Sequence, residues 1–257
     1  MIKFLEGRRM VHMKKKNKKR KWIIIGAVIA IAVAFVLINV GPFLSMSPAD
    51  TGRINGAGII AVNNGMCNVY LIETSEGYAL IDAGFNSKSL EAALGELDVA
   101  PADIKYVFLT HSDGDHTAAL PLFPGATIYM GEDEMQLLDG RTNRSGNSGN
   151  SLPAGVDQNS IVLLGDGQEV QIGERTIRGL KAPGHTPGSM LFVADGSYVF
   201  SGDAFKISGN KMDVHPFTMD AETSKATMQR LYGDIVSTEL TLTAHYGYFV
   251  SSDLAIA

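Results

Sequence analysis

The chain has 257 residues, of which 45% are hydrophobic and 19% are charged, and this composition excludes a largely disordered protein. Its single cysteine, Cys67, excludes an intramolecular disulfide and a cysteine-rich zinc site, and most simply is a small buried core residue. The net charge of −5 combines two unlike parts. Residues 1–21 hold ten Lys or Arg and one acidic residue, Glu6, so 12 of the 22 basic and 26 of the 27 acidic residues remain, a net charge of −14.

The N-terminal part combines the basic residues 1–21 with an apolar run over residues 22–40, in which Asn39 is the only polar side chain. As a helix, 19 residues would span about 28 Å, close to the thickness of the bilayer hydrocarbon. We therefore predict a basic cytoplasmic tail, a single transmembrane helix over 22–40, and an extracytoplasmic domain in the cell membrane. Cleavage of a signal peptide near Ser47, which would release a secreted domain, is the alternative.

A short linker and one folded domain are predicted to follow. Residues 41–52 contain two prolines and small residues, which indicates a linker, and the domain covers 53–257. Alternating or continuous apolar runs predict strands at 54–62, 67–73, 78–84, 104–109, 125–130, 161–164, 168–172, 176–181, 190–194, 198–200 and 240–244. Helical spacing predicts helices at 87–97, 132–138 and 221–231. Residues 140–160 are polar and long for a loop, which indicates either a disordered segment or a gate over a site.

The turn between strand 104–109 and a helix that begins near Thr117 is rich in ligand-type side chains. These are His111, Asp113, Asp115 and His116. One aspartate, such as Asp115, would be enough to cap the helix. Four residues with imidazole or carboxylate groups within six positions indicate a site for a divalent transition metal.

Three later turns also carry such groups just after a predicted strand. His185 lies in the run Pro-Gly-His-Thr-Pro-Gly, Asp203 in Ser-Gly-Asp, and His245 in Ala-His-Tyr. Each alone is a weak signal, because a single His or Asp in a loop is usually only solvated.

Together, and in this order, the motifs resemble those of the metallo-β-lactamase superfamily over roughly residues 54–250. The resemblance implies an α/β domain with a four-layer αββα sandwich, here preceded by the predicted transmembrane helix. One position departs from the family signature His-x-His-x-Asp-His, because Asp113 stands where the second histidine is usual.

The resemblance also implies a role for each residue. His111, Asp113 and His185 would bind a first metal ion, Asp115, His116 and His245 a second, and Asp203 would bridge the two. Asp82 would orient an imidazole, and Asp115 and Asp82 would be the catalytic side chains. Zn²⁺ is the expected metal for both sites, and Mn²⁺ or Fe²⁺ is the alternative that the harder Asp113 carboxylate favours.

The expected function is therefore a membrane-anchored binuclear hydrolase that uses a metal-bound hydroxide on a small or surface-attached ester, lactone or phosphodiester. Arg141, Arg144 and Tyr246 are candidate substrate-binding residues. The alternatives are a non-catalytic metal-binding ectodomain and a relative of competence-type nucleases. A nucleic-acid substrate is disfavoured, because the part of the chain outside the tail is strongly acidic.

Overall fold

The computed structural model describes residues 21–37, 40–54, 56–144 and 150–257, and divides the chain into a unit of residues 1–46 and a unit of residues 47–257. In the first unit, residues 21–37 are helical (α1), and Gly41–Leu44 forms a short helix (α2) that starts with Pro42 in its first turn. The side chains of α1 are exposed.

The predicted transmembrane helix is not supported by this part of the structure. No helix within the described ranges combines the length and the apolar character needed to cross a membrane. Residues 38 and 39 of the predicted span, and residues 1–20 of the predicted tail, lie outside the described residues.

The second unit contains the following elements. Its helices are α3 (Ser87–Glu96), α4 (Gly114–Thr117), α5 (Met135–Leu138) and α6 (Ala221–Val236). Its strands are β1 (Gly52–Ile54), β2 (Ile59–Asn63), β3 (Asn68–Thr74), β4 (Gly77–Ile81), β5 (Ile104–Leu109), β6 (Thr127–Gly131), β7 (Ile161–Leu164), β8 (Glu169–Ile172), β9 (Arg175–Lys181), β10 (Met190–Ala194), β11 (Tyr198–Gly202), β12 (Lys206–Ser208), β13 (Lys211–Asp213), β14 (Leu240–Thr243), β15 (Tyr248–Val250) and β16 (Ala255–Ile256).

Two mixed sheets form the centre of this unit. The first has seven strands in the order β1-β2-β3-β4-β5-β6-β7, antiparallel as far as β4 and parallel from there on. The second has six strands in the order β15-β14-β11-β10-β9-β8, and its pair β11–β14 is parallel. Strands β12, β13 and β16 form a small third sheet.

The sheets pack face to face, and helices cover their outer faces. Phe108 of β5 and Phe192 of β10 meet edge to face between the sheets, with ring centroids 5.2 Å apart. The neighbouring residues of these strands point the other way, because side chains alternate across a strand. Val107 therefore packs with α3, and Leu191 packs with Leu231 of α6. The resulting helix–sheet–sheet–helix order confirms the predicted α/β sandwich.

The topology brings the ends of several strands to one edge of the sandwich. β4 and β5 are parallel, so Asp82 and the turn after Leu109 lie side by side. β11 and β14 are also parallel, so Asp203 and His245 both follow strand ends at one edge of the second sheet. The carboxyl ends of parallel strands are the usual place for ligand sites in such folds.

Candidate metal centre

All seven metal ligands predicted from the sequence come together in the structure, along with one histidine that was not predicted. The ligand atoms of His111, Asp113 and His185 all lie within 4.8 Å of one another, and we call these residues the first group. The ligand atoms of Asp115, His116, Asp203 and His245 also lie within 4.8 Å of one another, and we call these residues the second group. His215 forms a further set with His185 and Asp203.

The second group has the dimensions of a transition-metal site. His245 Nε2 lies 3.2 Å from Asp203 Oδ1 and 3.3 Å from Asp115 Oδ2, and His116 Nε2 lies 3.7 Å from Oδ2 of each aspartate. Ligand atoms bound tetrahedrally at about 2.0–2.2 Å from zinc are separated by about 3.3–3.6 Å. The donors therefore fit a divalent ion without rearrangement of the backbone.

The first group has similar spacings. Asp113 Oδ2 lies 3.4 Å from His111 Nε2 and 3.2 Å from His185 Nε2. His185 Nε2 is also 3.6 Å from Asp203 Oδ2. Asp203 thus faces ligand atoms of both groups, which is the position that a bridging carboxylate requires.

Hydrogen bonds fix the tautomers of two imidazoles through Asp82. Asp82 Oδ2 lies 2.8 Å from His116 Nδ1, and Asp82 also accepts from the hydroxyl and the backbone N–H of Thr110. Because the hydroxyl proton of Thr110 goes to Asp82, Thr110 Oγ1 accepts from His111 Nδ1 at 3.1 Å. Both Nδ1 atoms are therefore donors, and both Nε2 atoms direct a lone pair to the cluster in the neutral rings.

A backbone carbonyl has the same effect on His245. The oxygen of Met66 lies 2.6 Å from His245 Nδ1, and a carbonyl can only accept. His111, His116 and His245 are buried, and their Nε2 atoms have no hydrogen-bond partner among the described residues. Unpaired buried nitrogen atoms of this kind are costly unless a ligand uses them, which favours metal binding.

The backbone at this edge is specialised to hold the side chains. Asp82 has φ of 59°, in the left-handed region that non-glycine residues rarely adopt, and its carboxylate is buried. Gly202, just before Asp203, has φ of 49°, and a Cβ there would collide with the side chain of Thr110. Glycine is therefore required at the entry to the Asp203 turn.

The carboxylates and imidazoles of the second group shift each other's pKa values. Burial works against charge on His245, but Asp203 and Asp115 outweigh it and raise the pKa of His245 to about 10. Burial also works against charge on His116, but nearby carboxylates, Asp82 above all, outweigh it and raise the pKa of His116. Burial likewise works against charge on Asp203, but His245 and the other imidazoles hold its pKa well below the usual range.

These shifts predict that metal binding at the second group releases protons. With a pKa near 10, His245 carries two protons at pH 7.5, and one must leave before Nε2 can bind a cation. Affinity should therefore fall by about tenfold per unit as pH falls below 10, for each proton displaced. Calorimetric titration with Zn²⁺ in two buffers of different protonation enthalpy measures the number of protons released for each ion bound. His245→Gln should release fewer protons than the natural chain, and equal release would contradict the assignment.

Burial dominates at the other two imidazoles. It lowers the pKa of His185, and it lowers the pKa of His215 to about 3 despite the opposing charge of Asp203. His215 Nε2 lies 3.7 Å from Asp203 Oδ2, and neither ring nitrogen of His215 has a hydrogen-bond partner among the described residues. His215 follows β13, a strand of three residues that the apolar pattern does not reveal, so the signal used for the other ligand-type residues is missing here.

A buried glutamate, Glu134, ties two ligand turns together and was not predicted. Its Oε1 accepts from the backbone N–H of Ser112 at 2.8 Å and from the Ser112 hydroxyl at 2.6 Å. Its Oε2 accepts from the hydroxyl of Thr186 at 2.7 Å and from the N–H of Gly188 at 3.1 Å. The turn with His111 and the turn with His185 are therefore held by one carboxylate.

The three candidate substrate-binding residues differ in position. Arg144 reaches the first group and pairs with Asp113, whereas Arg141 pairs with Asp139 and is exposed. Tyr246 is buried, with its ring centroid 6.0 Å from that of His215.

The structure also tests two further predictions from the sequence, the cap of α4 and the burial of Cys67. The N-cap of α4 is Asp113 rather than Asp115, and the Asp113 side chain makes no capping hydrogen bond. Cys67 is buried as predicted, with Sγ 3.3 Å from the backbone oxygen of Asp115, and burial raises its thiol pKa to about 12.

Comparisons with known proteins agree with this architecture. Residues 62–234 match the family model of the metallo-beta-lactamase superfamily. The chain is 31% identical over 153 residues to the uncharacterized protein YobT of Bacillus subtilis, covering 55% of this chain and 63% of that protein. It is 28% identical over 145 residues to the probable polyketide biosynthesis zinc-dependent hydrolase PksB of the same bacterium, covering 54% of this chain and 56% of that protein. In both cases the chain spans less than two thirds of the relative's length.

A solved structure shows the same fold. A B3 metallo-beta-lactamase with an active-site glutamic acid superposes with a TM-score of 0.62 at 22% identity, covering 81% of this chain and 85% of that one. The family match spans the turn that carries His111 to His116, together with His185 and Asp203. The chain therefore belongs to the metallo-beta-lactamase superfamily.

Proposed function

We propose that the protein is a binuclear hydrolase that cleaves an ester, lactone or phosphodiester bond in a small substrate. One observation carries this proposal: four buried imidazoles and three carboxylates turn their ligand atoms toward a shared centre with metal-ligand spacing. The first group would hold one ion, the second group the other, and Asp203 would lie between them.

The donor set supports divalent transition metals. Imidazole and carboxylate suit zinc, and a relative carries the name of a zinc-dependent hydrolase. Bound divalent ions would supply Lewis-acid chemistry, activating water as a nucleophile and polarising an oxygen of the bond that breaks. Asp113 makes the first group more anionic than three imidazoles would be, which favours Mn²⁺ or Fe²⁺ in that group relative to a purely imidazole site.

The side chains around the centre have separable roles in this proposal. Asp82 holds His116 by its Nδ1 and so fixes the ring that Asp115 and Asp203 face. The Asp115 side chain is 36% exposed, the most open of the three carboxylates, and lies where a substrate would approach. Burial opposes the charge of Asp115, but His116 and His245 outweigh it and hold its pKa low, so this carboxylate is ionised at neutral pH.

The charge distribution favours a small substrate over nucleic acid. Residues 22–257 carry a net charge of −14. Proteins that bind extended nucleic acid neutralise several phosphates with Lys and Arg. A competence-type nuclease is therefore the weaker candidate, and a small or surface-attached ester fits the acidic domain better.

Metal content and activity of the purified full chain test this function together. We expect about two ions per chain by elemental analysis and hydrolysis of at least one member of a panel of carboxylic esters, lactones and phosphodiesters. Chelation should abolish the hydrolysis, and Zn²⁺ or Mn²⁺ should restore it. Metal binding without activity on any class would favour the non-catalytic alternative, and a metal-free, inactive chain would reject both.

We also propose, from the sequence, that the domain is tethered to the outer face of the cell membrane. The apolar run over 22–40 and the basic residues before it support this topology. Protease added to intact cells should then digest the domain. A domain that is protected from protease, or fully released into the medium, would contradict the tether.

A further inference from the structure

One basic side chain lies inside the first ligand group. Nε of Arg144 donates to Asp113 Oδ1 at 3.2 Å, and its Nη2 donates to Asp113 Oδ2. The same Nη2 lies 3.0 Å from His185 Nε2, and Nη1 donates to the backbone oxygen of Phe217 at 2.7 Å. The Arg144 side chain is only 18% exposed, so its guanidinium is held on several sides.

These contacts use the atoms that a metal ion in the first group would need. Where Nη2 donates to His185 Nε2, the lone pair of that nitrogen is directed to Arg144, because a guanidinium has only donors. Asp113 Oδ2 is likewise engaged by Nη2. A lone pair that accepts from a guanidinium N–H cannot also coordinate a cation, and two positive charges at this distance repel each other.

The flank on the other side of the undescribed residues 145–149 reaches the same carboxylate. Asn150 Nδ2 donates to Asp113 Oδ1 at 2.7 Å and to Ser112 Oγ at 2.8 Å. Arg144 and Asn150, the described residues on either side, therefore both contact the turn that carries the first group.

The surroundings of the second group are different in the part of the chain that the structure describes. No lysine or arginine in the described ranges forms an ion pair with Asp115 or Asp203, which face histidines. The two groups therefore differ in their surroundings: a guanidinium contacts ligand atoms of the first group, and no such contact to the second group is found in the described ranges.

We propose that Arg144 is a built-in competitor of the metal ion in the first group, so that one ion binds tightly to the second group and another binds only as Arg144 withdraws. This inference rests on the proposed function, because it assumes that both groups bind metal. It assigns Arg144 a role in controlling metal occupancy, in place of the substrate-binding role expected from the sequence.

Zinc titration of the full chain, purified in detergent and stripped with a chelator, tests the stoichiometry. The natural chain should bind one Zn²⁺ tightly and a second at least about tenfold more weakly, the factor expected for breaking one charge-assisted hydrogen bond. Arg144→Ala should tighten the second step by at least that factor and leave the first unchanged. Arg141→Ala is the matched control, because Arg141 lies on the same segment but pairs with exposed Asp139, and it should resemble the natural chain.

A spectroscopic readout separates displacement of Arg144 from a simple loss of positive charge. In protein labelled with ¹⁵N-arginine, the Nε–H signal that is missing from Arg144→Ala identifies Arg144. That signal should stay in place during the first equivalent of Zn²⁺ and shift during the second. An unmoved signal during the second equivalent, or equal affinities in the natural chain and Arg144→Ala, would overturn the inference while leaving the hydrolase proposal intact. Failure of every variant to bind Zn²⁺ would overturn both.

Discussion

Replacing Asp203 with alanine should remove at least one bound ion and lower kcat/KM by at least about 10³-fold, because both groups lose the carboxylate that faces them. Asp203 lies within 3.2–3.7 Å of ligand atoms of His245, His116 and His185, and it is buried. Without this charge, the remaining ligands are imidazoles together with Asp113 and Asp115. Elemental analysis of the purified variant and its steady-state kinetics on a confirmed substrate measure the two effects.

A surface aspartate provides the control for this experiment. Asp213 is about half exposed and pairs with Lys206 on the neighbouring strand β12, so Asp213→Ala should retain both ions and full activity. If Asp203→Ala keeps both ions, Asp203 does not bridge them, and the assignment of this carboxylate is wrong.

Replacing Glu134 with alanine should destabilise the domain by about 3–5 kcal/mol, because it leaves several buried donors without an acceptor at about 1–3 kcal/mol for each unsatisfied group. Four donors in two turns would lose their acceptor: the N–H and hydroxyl of Ser112, the hydroxyl of Thr186 and the N–H of Gly188. Because these turns carry His111 and His185, metal affinity of the first group should fall as well. Urea denaturation of the metal-free variant and of the natural chain gives the change in free energy.

Two further variants make the Glu134 experiment specific. Glu134→Gln keeps one acceptor oxygen and should lose less stability than the alanine variant. Glu132→Ala removes a half-exposed neighbour that pairs with Lys181, and its effect should stay within about 0.5 kcal/mol. A similar loss in Glu132→Ala and Glu134→Ala would show that the short 3-10 helix Glu132–Glu134, and not the buried carboxylate, is the source of the effect.

The sequence by itself determined most of the sandwich, because most of its central strands are rich in apolar residues and stand out from the polar turns between them. β5, β7 and β10 begin and end where the pattern predicts. Helix α6 extends five residues beyond its prediction, to Val236, since buried Ile235 continues the apolar face past Gly233. The pattern missed β12, β13, β15 and β16, because strands of two or three residues have no period to detect, and the single strand predicted over 54–62 is wrong, since β1 and β2 are separate there.

The chain also determined which residues gather at the candidate metal centre, since short polar turns after strands repeat along it. The structure brings His111, Asp113, Asp115, His116, His185, Asp203 and His245 together at one edge, in two groups that share Asp203.

Only the tertiary structure decided what else those residues contact. His215, Glu134 and Arg144 are each distant in sequence from the groups that they meet: Glu134 is 52 residues from Thr186, and Arg144 is 31 from Asp113. A buried glutamate at the start of a helix and an arginine in a polar loop have the same local sequence pattern as exposed ones. Their partners are chosen by how the two sheets and the loops pack, because hydrogen bonds and ion pairs depend on distance in space, which local sequence patterns do not encode.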